Sequence, residues 1–480
     1  MRKTKIVCTI GPASESENML SNMMDAGMNV ARLNLSHGNF EEHRVRIAHL
    51  RCLRDEKKMP LAIMLDTRGP EVRTGTLENK MPVMLKAGQQ FTLTTEQVTG
   101  TAERVSVSYP ALSQYVSSGD HILIDDGLLD MTVTQVDGPN VVCEVIEGGE
   151  LGERKGITVR GVDLHLPFLN EADRRDIVRG IKEGAELIAA SFVCRGSDVR
   201  ELRKLLADNG GDGIGILAKI ESRTGVDNFD EILQEADGIM VARGDLGVEL
   251  PMEEVPVLQK EFIRKCNAVA KPVITATQML DSMIRNTRPT RAEVNDVANS
   301  VLDGTDAVML SGETASGKHP LEALRSMARI AEYVEQRAGH RLNHIKPGPE
   351  GDTITNALSY ACSSMADDLN AAAIITPTRS GETARSVAKF RPKCAQFATT
   401  DVLLVYHQMA VVWGVHSLYV QPSDSTDGLM RDAVDAVVAA GFASEGDLVI
   451  LSAGVPVGVS GGTNLIKAQV VGDGPWGNQQ

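Results

Sequence analysis

The sequence predicts an α/β protein built on a (β/α)8 TIM barrel. A β-barrel lid is inserted after the third strand, and a further α/β domain follows at the carboxyl end. Three observations carry this reading. Apolar runs of strand length (IGIL, GIMV, PVI, AVML) recur about every 25 to 35 residues, and each runs directly into polar or charged residues. A parallel strand buried on both faces reads as a continuous apolar run, and a barrel gathers its functional groups at the carboxyl ends of such strands. Between the third and fourth runs lie roughly 95 residues more than one barrel repeat needs, and there the texture changes to alternating Val, Thr and Leu segments.

The elements follow in order. KIVCTIGP is the first strand, and a Ser14-x-x-Glu17 capping box opens a helix that ends near Gly27. MNVARLNLS and LAIMLDTR are the second and third strands. Residues 69–165 (QFTLTT, RVSVSYP, HILIDD, DMTVTQV, NVVCEVI) read as a small antiparallel β-barrel that leaves and rejoins the chain at the top of strand 3, placed to act as a lid. ELIAASFV opens strand 4, and the α/β pattern supplies strands 4 to 8. The barrel therefore takes residues 1–68 and 166–345. A polar, Pro/Gly-rich linker occupies 341–352, and residues 346–480 form the second α/β unit, with strands at AAIITP, QFATT, SLYVQ and DLVILSA.

At 480 residues the chain suits about two to four domains. A net charge of -15 argues against nucleic acid, and any anionic substrate must be held by local cations. The seven cysteines are scattered without a CxxC pair, as in a reduced, cytoplasmic protein. No run approaches the length of a membrane span.

The densest chemistry lies in Lys219-Ile-Glu221, Arg243-Gly244-Asp245, Thr275-Ala-Thr277-Gln278 and Ser311-Gly-Glu313-Thr314. Lys219 and Glu221 are two apart in one strand, so both face the barrel mouth. Asp245, on the next strand, completes a two-carboxylate site of the kind magnesium takes, with substrate and water as its other ligands. A lysine beside it neutralises charge on a transferring phosphoryl group, although ordinary strand-end ion pairs are the competing reading. The turn at Gly244 exposes N–H groups suited to an anion, or is a plain βα turn. Arg32, Asn34, Ser36, Asp66, Thr67 and Arg73 end strands 2 and 3. Their oxygens suit a hard monovalent or divalent cation and their guanidinium groups suit phosphate; a satisfied polar layer is the alternative. Thr277 and Ser311 suit proton relays or hydrogen-bond donors. His37, the single histidine in these motifs, is not assigned as a base.

KIVCTIGPAS, NVARLNLSHG, LDTRGPEVRTG, MVARGDLGVELP, ITATQMLDSM, PTRAEVNDVANSVLDGTDAVMLSGETASGKHP and SGETARSVAKFRP together resemble the pyruvate kinase family, in its bacterial, allosteric type, over essentially the whole chain. The resemblance implies phosphoryl transfer from phosphoenolpyruvate to ADP, giving ATP and pyruvate in the last step of glycolysis. It implies Lys219, Thr277, Arg32 and Ser311 as catalytic residues. Substrate would meet Arg32, Lys219, Gly244, Asp245 and Thr277, and nucleotide would meet Arg73, Lys155, Asn34 and His37. Mg2+ (or Mn2+) would sit on Glu221 and Asp245, and K+ on Asn34, Ser36, Asp66 and Thr67. Glu71 stands where potassium-dependent members carry an acid. A homotetramer and a phosphorylated effector are also implied, the effector held by Thr378, Arg379, Ser380 and Thr383 in the carboxyl-terminal domain.

Two other readings compete. A magnesium-dependent lyase or aldolase barrel has no use for the long lid or for Arg73 and Lys155. A catalytically silent relative has no reason to keep Lys219, Glu221, Asp245 and Thr277. The effector region departs from the family: Glu382 adds an anion to the phosphate loop, TTDVLLVYHQ is apolar, and residues 452–464 lack Trp, Arg and Lys. The expected effector is therefore a monophosphate (a sugar phosphate or AMP) rather than fructose bisphosphate, with loss of regulation as the competing reading.

Overall fold

The computed structural model describes residues 1–125, 127–338, 353–455 and 462–473. The expected linker at 341–352 and part of the loop at 452–464 lie outside the described residues. Eight parallel strands close a barrel in sequence order: β1 (Lys5–Thr9), β2 (Val30–Asn34), β3 (Ala62–Asp66), β4 (Leu187–Ala190), β5 (Gly215–Ile220), β6 (Gly238–Ala242), β7 (Val273–Ala276) and β8 (Ala307–Leu310). Both faces of these strands are buried, which is why their sequences read as unbroken apolar runs.

Alternate residues part company. Val7, Val30, Met64, Leu217, Met240 and Met309 belong to the plug inside the barrel, while Ile6, Leu33, Leu65, Ile216, Ile239 and Val308 pack outward with the helices. Continuing the inward parity up each strand, two residues at a time, arrives at Thr9 on β1, Arg32 and Asn34 on β2, Asp66 on β3, and Lys219 and Glu221 at the end of β5. The polar mouth is thus the top layer of the same side-chain stack that forms the apolar plug.

The first helix, Glu17–Asp25, is capped by Ser16, whose side chain accepts from Met19 N–H. The expected Ser14 cap does not form, because Ser14 Oγ accepts instead from Gly11 N–H at 3.2 Å and closes the turn after β1.

The insertion is a seven-stranded sheet with its own core, centred on Phe91, Leu93, Met131 and Val141. Its edge strands, Val72–Arg73 and Arg104–Ser106, are joined by a bridge between Thr74 and Val107 that curls the sheet towards closure. The pairing is antiparallel except between Gln90–Thr94 and Arg104–Ser106, which run parallel. Segment 95–103 carries the chain back to the start of its strand, so the expected all-antiparallel module is a mixed one.

The carboxyl-terminal unit is a five-stranded sheet: β9 (Ala373–Pro377), β10 (Ala395–Thr400), β11 (Val415–Tyr419), β12 (Leu448–Ala453) and β13 (Leu465–Val470), in the order β11-β10-β9-β12-β13. The antiparallel edge strand β13 was not expected from sequence. It is only half-buried and carries Lys467 at its middle, so it lacks the buried apolar run that marks β9 and β12 at the centre of the sheet. This unit docks on the barrel floor. Buried Lys5 donates to the Val415 carbonyl at 2.6 Å, and buried Arg391 donates to the Gly304 carbonyl at 2.6 Å and stacks 4.5 Å from the Trp413 ring.

Candidate active site

The barrel mouth centres on Lys219, which is buried. Its ammonium lies 2.7 Å from Ser191 Oγ, 3.0 Å from Asp66 Oδ1 and 3.0 Å from Glu221 Oε1. Asp66 also accepts from Arg32 Nε at 2.6 Å, and Arg32 Nη1 donates to Thr9 Oγ1 at 2.9 Å. The structure therefore gathers Arg32, Asp66, Lys219 and Glu221, which come from three strands, into one charge network.

Their proton affinities follow from that packing. Burial works against the charged form of Lys219, but Asp66 and Glu221 outweigh it and raise its pKa, so it stays an ammonium. Burial likewise opposes ionisation of Asp66, yet Arg32 and Lys219 hold its carboxyl below the usual range. Glu221 is pushed up to about 8, first by burial and then by the neighbouring Asp245 and Asp66 carboxylates, against the pull of Lys219. The Asp245 and Asp66 carboxylates therefore act on Glu221 with like charge.

The strand-4 turn contributes two groups that the sequence reading missed. Ser191 Oγ donates to the Thr67 carbonyl at 2.7 Å, which leaves its lone pairs to accept from Lys219. Phe192, held at φ 53°, donates its N–H to Glu221 Oε2 at 2.6 Å. A signal was available: Leu187, Ala189 and Ser191 share one parity, so Ser191 is the inward residue at the mouth of β4.

A second cluster spans β6 and β7. Thr277 Oγ1 accepts from Gly244 N–H at 2.7 Å and donates to the Ala276 carbonyl at 2.7 Å. Thr277 sits at φ 68°, an outlying conformation for a β-branched residue and a form of strain that clusters at functional sites. Arg243 enforces it, donating to the Thr277 carbonyl at 2.7 Å while pairing with Asp296 at 2.7 Å. Just beyond β8, buried Glu313 accepts from Ser311 N–H at 2.7 Å and Leu280 N–H at 3.0 Å. Ser311 Oγ is buried with no hydrogen-bond partner among the described residues.

The other predicted residues lie around this centre. Asn34 Oδ1 accepts from Ser36 N–H at 3.0 Å, Thr67 Oγ1 accepts from Ser191 N–H at 3.0 Å, and His37 is exposed at the rim. Arg73 pairs with Glu71 at 2.6 Å, and Lys155 pairs with Asp125 at 2.9 Å, both within the insertion. The insertion closes on the barrel through Arg195 and Asp163 at 2.6 Å. A cleft of about 210 Å³ between the two carries Glu71 on one wall and Asp245 on the other.

In the carboxyl-terminal sheet, Thr378, Arg379, Ser380 and Thr383 line a cavity of about 630 Å³. Thr378 Oγ1 accepts from Gly381 N–H at 2.9 Å, and Arg379 pairs with Asp401 at 3.4 Å. Gly381 sits at φ 79°, a conformation that favours glycine, and a Cβ there would displace the end of the Met409 side chain, whose Cε lies 2.3 Å away.

Residues 1–324 match the family described as "Pyruvate kinase, barrel domain", and residues 356–469 match "Pyruvate kinase, alpha/beta domain". A pyruvate kinase of Geobacillus stearothermophilus is 52% identical over 98% of this chain and 81% of its own length. One from Clostridium acetobutylicum is 47% identical over 98% of this chain and 100% of its own. The crystal structure of a pyruvate kinase from Cryptosporidium parvum superposes with a TM-score of 0.90 at 40% identity, covering 98% of this chain and 96% of that one. With a strand-end lysine among carboxylates, an inserted lid and matches across both α/β units, the chain belongs to the pyruvate kinase family.

Proposed function

We propose that Lys219, Arg32, Glu221, Asp245, Gly244 and Thr277 carry the family's reaction, the transfer of the phosphoryl group of phosphoenolpyruvate to ADP. The observation that supports this is Lys219, held as a buried ammonium between Asp66, Ser191 and Glu221. Phosphoryl transfer needs positioned charge more than covalent chemistry. Lys219 stabilises the phosphoryl group as charge develops on it, and Arg32 grips the substrate phosphate. Gly244 N–H and Thr277 take the substrate carboxylate. Breaking the phosphorus–oxygen bond of the substrate leaves an enolate, which takes up one proton on carbon to give pyruvate. Thr277 and the unpartnered Ser311 hydroxyl line the proton's path.

Glu221 and Asp245 fit a divalent cation. Carboxylates are the donors Mg2+ prefers, and Asp245 acts on Glu221 closely enough to raise its proton affinity, a repulsion that a divalent cation between them would relieve. Mg2+ or Mn2+ bound there supplies neutralisation of substrate and phosphoryl oxygens. Asn34, Ser36, Asp66 and Thr67 offer the oxygen donors that suit K+. Arg73 and Lys155 exchange their carboxylate partners for nucleotide phosphates, with Asn34 and His37 beside them. The insertion over the cleft excludes water, which would otherwise hydrolyse the phosphoryl group.

The cavity at Thr378, Arg379, Ser380 and Thr383 is the proposed effector site. Among the described residues its one cation, Arg379, is already paired, and Glu382, Asp401 and Asp424 share the wall, which supports a monophosphate over a bisphosphate. A homotetramer and a cytoplasmic location are inferred from the family's glycolytic role. No described helix is long and apolar enough to cross a membrane.

The test is pyruvate formation from phosphoenolpyruvate with and without ADP, Mg2+ and K+, in wild type and Lys219→Met. Activity that needs all three and is lost in the variant supports the reading; activity without ADP overturns it. Titration with fructose 1,6-bisphosphate and with sugar monophosphates or AMP tests the effector. Activation by micromolar bisphosphate overturns the monophosphate assignment.

A further inference from the structure

A cavity of about 260 Å³ lies between the barrel floor and the carboxyl-terminal domain. Three cations line it: Lys271, just before β7, and Arg385 and Lys389, on the helix Glu382–Ala388 and its end. Each donates to neutral oxygens. Lys271 Nζ reaches the carbonyls of Leu233 at 2.6 Å and Gln234 at 2.9 Å. Arg385 Nη1 reaches the Ser380 carbonyl at 3.1 Å. Lys389 Nζ reaches the Ala268 carbonyl at 2.9 Å and also Asn356 Oδ1. Among the described residues, no carboxylate lies within ion-pair distance of any of the three.

Two carboxylates do reach the cavity wall. Asp237 is engaged elsewhere, by Arg203 at 2.9 Å and by Ile216 N–H at 2.8 Å, and Glu382 is exposed. Lys389 is buried and Lys271 and Arg385 are half-buried, so three like charges share one cavity whose carboxylates, Asp237 and Glu382, act on Lys271 and Arg385 only from beyond ion-pair distance, an arrangement that costs folding energy. Burial lowers the proton affinity of all three, opposed by Asp237 at Lys271 and by Asp237 and Glu382 at Arg385.

We propose that this cavity is a second anion site, separate from the loop at Thr378 to Thr383, and that it takes a small phosphomonoester. A dianion answers three cations lining one cavity better than a single carboxylate does, and guanidinium and ammonium groups together suit phosphate oxygens. The volume is just below that of common ligand pockets, so the ligand is small. The site also has a route to both functional regions. Arg385 is tied to Ser380 in the effector loop, and Lys271 leads into β7, the strand that ends at Thr277. A ligand drawing Lys271 and Arg385 together links the two.

The test is calorimetric titration of inorganic phosphate into the full chain. The background variant is Lys219→Met/Ser380→Ala, in which the other two phosphate sites are weakened. The background is expected to retain one phosphate site. Adding Arg385→Gln or Lys271→Gln should weaken that site about tenfold or more, the loss of a charge-assisted contact. No binding in the background, or binding indifferent to both substitutions, overturns the proposal. Thermal unfolding separates a folding defect from a lost site. Arg385→Gln alone should unfold no lower than wild type without phosphate and should lose part of the phosphate-induced rise. A lowered midpoint with the full rise retained overturns the proposal, because the cation would then be structural.

Discussion

Ser191 Oγ stands 2.7 Å from Lys219 Nζ while donating its own proton to the Thr67 carbonyl at 2.7 Å. That orientation leaves the hydroxyl only an acceptor role towards the ammonium, so it aims Lys219 without competing for its charge. Ser191→Ala is expected to lower kcat about tenfold to a hundredfold with little change in KM for phosphoenolpyruvate, because the misplacement is felt as charge develops in transfer. Ser191→Thr should recover much of the loss. Steady-state kinetics on both variants checks this, and a rise in KM at constant kcat would refute it.

Lys219→Met removes the charge itself. Turnover should fall by about two to three orders of magnitude or more, the scale seen when a preorganised charge partner of a transition state is lost. The fall should be larger than for Ser191→Ala, and the two losses should not add, because both act through one ammonium. A double-mutant cycle on kcat measures this.

Thr277 carries strain at φ 68°. A residue held in that region costs about 1 to 3 kcal/mol, which glycine avoids. Thr277→Gly should therefore unfold at no lower a temperature than wild type, although it loses two hydrogen bonds, while turnover drops at least about tenfold. Thr277→Ser keeps the hydroxyl and should retain more activity. A destabilised but fully active glycine variant would exclude the relay.

Lys5 is fully buried, and burial lowers its pKa from 10.5 to about 7. The unfolded chain holds that proton more tightly than the folded one. Stability should therefore rise with pH between about 7 and 10.5, by at most about 1.4 kcal/mol per pH unit from this group, and the dependence should vanish below 7, where both states are protonated. Lys5→Met should flatten that window and be the more stable protein near pH 7, as read by denaturant unfolding across pH.

Glu221→Gln leaves Asp245 as the only carboxylate of the proposed divalent-cation pair. The Mg2+ concentration for half-maximal activity should rise about tenfold or more, with a smaller change in KM for ADP. An unchanged metal requirement would place the cation elsewhere.

The barrel and the charges at its mouth were legible because both rest on short-range regularities. Apolar runs mark strands covered on two sides, and Lys219 and Glu221 declare a shared face by their spacing. What escaped was of a different kind. β13 is a half-exposed edge with little apolar signal, and the parallel pair in the insertion depends on a crossover that no local pattern records. Ser191 and Phe192 matter only through partners on β3 and β5, distant in sequence, and Phe192 acts through its backbone, which residue type does not reveal.

The stacking of charges above the apolar plug also fixes how the site can be retuned. Each functional group rides on its strand at a height set by residue count, about 3.3 Å per residue. Two residues added to β5 would lift Lys219 and Glu221 together by about 6.6 Å and keep them facing the axis. A single residue added there would turn both into the helical shell. Within this scaffold the reach of a charge is adjusted in paired steps, and odd steps forfeit it.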